Sequence, residues 1–329
     1  MAASPEPPGV TRRMVDTGTI RMEIAEAGEG PLVLLLHGFP ESWYSWRHQF
    51  APLRDAGYRV IAPSQRGYGA TDAPAAVEAY TQLHLVGDLV GLLDALDEET
   101  AVVVGHDWGG PVAWNAALLR PDRFRAVVGM SVPFYGIHRA ATAPTASLGA
   151  LAEDRFVYIL YFQEPGVAEA ELEADVRASI RRLMYSISGD IPEDQRRFWD
   201  RPPGSTFLDT TVDPPALPAW LTEADLDVFT GEFERSGFRG GLNYYRNLDR
   251  NAELLAPFAG LSIEQPAMFI GGQHDVVLGA TPEAVQRMRQ EVPGLRRIEW
   301  LPGCGHWLQQ ERSDEVNALL VEFLGSLDR

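Results

Sequence analysis

The chain has 329 residues, 45% of them hydrophobic, enough for one large globular domain carrying an insertion or for two ordinary domains. Its formal charge is -18, and every one of its 28 basic residues is Arg, with no basic block, so nucleic acid and anionic membrane surfaces are poor partners. A single cysteine, Cys304, excludes an internal disulfide and a Cys-rich metal site.

The first dozen residues, rich in Pro and small side chains, read as a loose tail. The stretch "MAASPEPPGVTRR" lacks the apolar core of a signal peptide, and no run of ~18 apolar residues predicts a membrane span, so a soluble cytoplasmic protein is the expectation. "TIRMEIAEAG" alternates like an edge strand, whereas "PLVLLLHG" is a continuous apolar run suited to a strand buried on both faces. "YRVIAPS", "AVVVGH", "FRAVVGMSV" and "PAMFIGG" repeat that pattern, with helical patterns such as "LHLVGDLVGLLDAL" between them. "LRRIEWLP" is a last strand, and "SDEVNALLVEFLGSL" a last helix with Ser313 as its cap. Strand and helix alternating in this way predict an α/β fold with a mostly parallel sheet flanked by helices.

The alternation breaks after "SVPFYG". Residues 136–250 read as helices and loops without a buried strand, including a Pro-rich stretch from Arg201 to Pro218. This predicts a helical lid (136–250) inserted into a core made of residues 1–135 and 251–329, lying over the carboxyl ends of the strands, where open α/β sheets place their sites.

Four pieces carry chemistry. In "VVVGHDWGG" a strand stops at a glycine and a small-residue turn enters a helix, the pattern of a nucleophile elbow with Asp107 at its tip. "HGFP" follows an earlier buried strand, and a tight turn there frees the Phe39 N–H to form an oxyanion hole with the Trp108 N–H. Asp275 and His306 follow the next two strands after the lid, which completes the order nucleophile, acid, histidine. His274 is the nearest rival to His306, and His106 is expected to point away from the elbow tip. Cys304, near His306, reads as inert packing.

With these motifs the chain resembles α/β-hydrolase-fold epoxide hydrolases over nearly its whole length, through "LLHGFPESWYSWRHQ", "QRGYG", "VVGHDWGGPVAW", "SVPF", "YFQEPGVAEAELE", "GLNYYRN", "GGQHDVVL" and "GCGHWLQQE". The resemblance implies that two lid tyrosines hold the epoxide oxygen, and the matching positions are Tyr158 and Tyr245; Tyr161 and Tyr244 beside them read as packing residues. Trp108, Phe39, Pro40 and Trp307 are expected around the substrate. Ser64 departs from the Asp that similar proteins often carry, which predicts a weaker turn there.

A carboxylate at an elbow makes chemical sense if its target is a strained ring. It is ionised near neutrality without help from a base, and it can open a three-membered ring at an sp3 carbon when the leaving oxygen is stabilised. The expected partners are a small apolar epoxide and water, with no metal and no organic cofactor; a homodimer is compatible with the sequence. A haloalkane or haloacid dehalogenase with the same Asp nucleophile is the alternative, although Phe39 stands where haloalkane dehalogenases often have Asn or Glu. A binding protein on a hydrolase scaffold is the third reading.

Overall fold

The computed structural model describes residues 6–138, 142–196, 198, 200–277 and 282–328. Residues 1–5 of the expected tail therefore lie outside the described residues, as do 139–141, 197 and 199 of the expected insertion and Leu278 beyond Asp275. Eight strands form one sheet: β1 (Thr11–Asp16), β2 (Arg21–Ala27), β3 (Leu32–Leu36), β4 (Arg59–Pro63), β5 (Ala101–His106), β6 (Phe124–Met130), β7 (Ala267–Gly272) and β8 (Leu295–Leu301). Their spatial order is β1-β2-β4-β3-β5-β6-β7-β8. The pairs β1·β2 and β2·β4 are antiparallel, and the neighbours from β4 through to β8 run parallel.

The central strands form where aliphatic residues run without alternation. Every residue of β3, β5 and β7 is buried, as expected of strands covered on both faces. Helix Gln82–Ala95 packs on helix Gly109–Leu119, and helix Phe50–Asp55 packs on helix Ser313–Gly325. The first of these is capped by the Thr81 hydroxyl, and its first N–H also reaches Asn251 Oδ1 at 2.8 Å, a bond that ties it to the chain beyond the elbow.

Two local expectations are corrected. β2 is not the edge; β1 lies outside it, within the stretch read partly as tail, and pairs with it from Thr11 to Asp16. Its sequence "TRRMVD" buries only Val15, so it carries no periodic apolar signal. Ser313 is the first helical residue and not the cap, because Arg312 occupies the cap position and turns its guanidinium onto Glu315.

Between β6 and β7 the described chain contains helices and no strand. Helix Glu223–Ser236 begins with a reciprocal cap, Thr222 and Asp225 each bonding the other's backbone N–H. Asp225 also accepts from Tyr44 Oη at 2.8 Å and pairs with Arg47 Nε at 3.1 Å, so the loop after β3 grips the start of this helix. The Pro-rich stretch is irregular apart from one short turn, Leu208–Thr210.

Ser64 is fully buried and donates to Glu23 at 3.2 Å, while Thr71 Oγ1 donates to the Ser64 carbonyl at 2.6 Å. The Ser64 hydroxyl and carbonyl are thus both engaged in holding the turn. Glu23 and Glu232 both approach Gly69 here, so a carboxylate at position 64 would add a third negative charge to a buried cluster.

Candidate active site

The carboxyl ends of β3, β5, β6, β7 and β8 meet below the helical segment. At the end of β5 the chain reverses into helix Gly109–Leu119 within three residues. A Cβ on Gly105 would sit 1.9 Å from the Gly109 carbonyl oxygen, and one on Gly109 would sit 2.1 Å from that of Leu36, so the turn closes only with glycine at both positions. Asp107 pays for its place at the tip with a φ of 49°, a left-handed conformation that costs about 1–3 kcal/mol for a non-glycine residue.

The loop after β3 closes on this carboxylate. A Cβ on Gly38 would lie 2.2 Å from Asp107 Oδ1, and the Phe39 N–H donates to the same oxygen at 2.7 Å. Trp108, whose N–H is the second expected donor, stands at the cap of the elbow helix. His37 holds the loop: its Nε2 accepts from the Gln65 N–H at 3.0 Å, which leaves Nδ1 to donate to the Gly38 carbonyl at 2.9 Å. Burial keeps this imidazole neutral, pushing its pKa down to about 4.

His306 comes from the loop after β8 and is buried, with Nε2 3.6 Å from Asp107 Oδ2. Its Nδ1 faces Asp275 at 3.1 and 3.2 Å, and Asp275 Oδ1 accepts from the Val277 N–H at 2.9 Å. Burial opposes a charged imidazole, but Asp275 and Asp107 outweigh it and raise the pKa to about 10. Asp275 moves the other way: burial raises it, and His306 with the Ser131 hydroxyl holds it below the usual carboxylate range. His106 lies in β5 beneath the site, between Glu41 Oε2 and the His306 carbonyl, each at 2.7 Å. His274 is half-buried and bonds Arg196, away from the elbow. Cys304 is buried, and burial raises its thiol far above the usual value.

Sequence reasoning missed Ser131. It is the first residue after β6, fully buried, with a φ of 70°, and its hydroxyl donates to Asp275 Oδ2 while lying 2.9 Å from His306 Nδ1. Its signal was position alone, a hydroxyl at the carboxyl end of the strand beside the elbow. Ser131→Ala is expected to loosen the Asp275–His306 pair and slow turnover by about tenfold, the worth of one hydrogen bond to a charged group. A native turnover rate in a folded Ser131→Ala protein would exclude this role.

The histidine loop and the helical segment also touch. A Cβ on Gly305 would be 2.3 Å from the Gly189 nitrogen, and the half-buried Glu311 carboxylate accepts from the N–H groups of Gly189 and Gly305, both at 2.8 Å, and of Trp307 at 2.9 Å. The His306 N–H donates to the Ile187 carbonyl at 2.9 Å.

Above Asp107 lies a cavity of about 410 Å³, within the usual range for small-molecule sites. Asp107, Trp108, Tyr158 and Tyr245 line it together. The two tyrosine rings are 5.9 Å apart, and Tyr245 packs edge-on against Trp108 at 4.9 Å. Burial and then the charge of Asp107 raise the Tyr158 phenol; burial also raises that of Tyr245. Both hydroxyls therefore keep their protons at neutral pH. Tyr244 instead donates to the Arg66 carbonyl, and Tyr161 packs on Phe156. Phe39, Pro40 and Trp307, expected around the substrate, are not among this cavity's lining residues. The Phe39 ring is taken up by an aromatic cluster with Phe162, Phe238 and Tyr245, and the Trp307 indole donates to the Met184 carbonyl at 2.7 Å. Among the described residues no group of three or more His, Cys, Asp or Glu could hold a metal ion, and no helix is long and apolar enough to cross a membrane.

Residues 31–313 match the alpha/beta hydrolase fold family. Epoxide hydrolase A of Mycobacterium tuberculosis is 48% identical over 97% of this chain and 98% of its own, and epoxide hydrolase B of the same organism is 43% identical over 91% and 92%. Among solved structures, an epoxide hydrolase from an endophytic Streptomyces superimposes with a TM-score of 0.91 at 50% identity, covering 97% of this chain and 96% of that one. Epoxide hydrolase A from Mycobacterium thermoresistibile gives 0.90 at 50% identity, covering 97% and 99%. A chain with this sheet, this elbow and these relatives belongs to the alpha/beta hydrolase fold family, among its epoxide hydrolases.

Proposed function

We propose that the protein converts small, largely apolar epoxides to vicinal diols through an ester on Asp107. The observation that carries this reading is one cavity holding the Asp107 carboxylate and two protonated phenols, with the His306–Asp275 pair adjoining the carboxylate. Asp107 Oδ2 attacks an epoxide carbon; the C–O bond breaks, and Tyr158 and Tyr245 hydrogen-bond the departing oxygen, one of them supplying its proton. Oδ1, already bonded to the Phe39 N–H, stays as the ester carbonyl oxygen.

Ester formation removes the negative charge that Asp107 presents to His306. One of the causes of the raised imidazole pKa is thereby lost, so the imidazole releases its proton, which restores the phenol that gave one up, and becomes a base when water must be activated. Water attacks the ester carbonyl carbon, the charge on Oδ1 is met by the Phe39 and Trp108 N–H groups, and collapse expels the diol and restores the carboxylate. Asp275 orients His306 throughout. Residues 136–250 act as the lid that supplies the tyrosines and shields the ester from bulk solvent.

A single turnover in 18O-labelled water tests the ester. The diol from the first turnover should be almost free of label, because the oxygen delivered to carbon is that of Asp107, and the label should appear in the Asp107 peptide. Full labelling of the first diol would mean direct attack by water, with Asp107 as a base.

A further inference from the structure

Beyond Asp107 the cavity follows one face of helix Gly109–Leu119, through Trp108, Pro111 and Asn115, the spacing of a single helical stripe. Most of its wall is apolar, contributed by Val132, Ile159 and Leu248 among others. Its far part is different: Asn115 meets Gln82, and the Gln82 backbone meets Asn251, so three amide side chains gather where an apolar tunnel needs none.

Asn115 is 7% exposed. Its Nδ2 donates to the Pro111 carbonyl at 2.8 Å and to Gln82 Oε1 at 3.4 Å. Both neighbours are acceptors, so that end of the amide is the NH2 group and the other end is the oxygen. Asn115 Oδ1 is buried and has no hydrogen-bond partner among the described residues. A buried acceptor without a donor is a standing cost, and this one belongs to a residue that lines the substrate cavity.

We infer that Asn115, supported by Gln82, forms a distal polar subsite for epoxides that carry a hydrogen-bond donor, a hydroxyl or an amide N–H, at the end remote from the ring. Asn115 lies about 9 Å along the helix from its first residue, Gly109, at 1.5 Å per residue, and that rise sets the scale of the span between ring and donor. Oδ1 is buried, so binding requires a rotation about the broad χ2 torsion of the amide that turns this oxygen toward the donor. No Arg is among the described residues that line the cavity, so a terminal carboxylate finds no countercharge among them, and a neutral donor is selected over an acid.

The inference rests on the epoxide hydrolase reading, and three substrates keep the two apart: styrene oxide, 10-hydroxy-1,2-epoxydecane and its methyl ether. Native protein should show kcat/KM for the hydroxy compound about tenfold above that for the ether, which keeps the chain and its terminal oxygen and is one methyl longer but has no donor. In Asn115→Leu that ratio should fall to about one. Equal values in the native protein, or a ratio that survives in a folded Asn115→Leu, would overturn the subsite while styrene oxide turnover leaves the reading beneath it standing. If none of the three is turned over, that reading falls and the subsite with it. The native ratio decides the matter even where the variant fails to fold.

Discussion

His306→Gln should convert the enzyme into a trap for its own substrate. Asp107 needs no base to attack, so ring opening continues, while the base that activates water for ester hydrolysis, worth ~10² to 10⁴ in rate, is gone. Intact-protein mass spectrometry after mixing with an epoxide should show a gain equal to the substrate mass, located on the peptide containing Asp107. The pH dependence of the native enzyme belongs to the same argument. Ester hydrolysis requires neutral His306, so its rate should rise with pH, and the midpoint should lie below the value of about 10 that holds while Asp107 is charged. A His306→Gln protein that circular dichroism shows folded, but that neither turns over nor gains mass, would assign the histidine to the first step and refute the division of labour.

Replacing both phenols should do the opposite and stop the reaction before the ester. Tyr158→Phe and Tyr245→Phe each remove one donor from the departing oxygen, a loss on the order of 10² to 10³ by comparison with other oxyanion donors. Each single variant keeps one phenol and should still alkylate slowly; the double variant should show neither diol nor mass gain. Phe preserves the aromatic packing of Tyr245 on Trp108 and of both rings on Phe162, so thermal stability should change little. Single-turnover alkylation at native rates in both single variants would remove the tyrosines from the chemistry.

Much of this arrangement was legible in the sequence because its physics is local. A run such as "AVVVGH" has no exposed face to declare, and a glycine on either side of Asp107 announces a turn that other residues cannot make. Asp275 and His306 could be found because each follows a strand that the apolar pattern marks clearly. The remainder depended on packing that no local pattern encodes. β1 forms because β2 offers a free edge, although its own residues are mostly exposed and half of them charged. Trp307 looked like a pocket wall by adjacency to His306, yet its indole points to a carbonyl of helix Val176–Ser186. Ser131 acquired its place only when β6 settled between β5 and β7, which brought the residue after it between Asp275 and His306.

The Glu311 carboxylate, with one oxygen shared between Gly189 and Gly305, bears on how this enzyme can be re-engineered. Exchanging residues 136–250 for the equivalent segment of another hydrolase is an obvious route to new selectivity, but here the graft boundary does not isolate the base. Ile187 and Gly189 belong to the exchanged piece and bond the loop that carries His306, so a chimera that loses their register inherits a displaced histidine along with its new walls. Substitutions confined to the cavity lining, with the 187–189 segment and Glu311 retained, alter the substrate's surroundings without disturbing that junction.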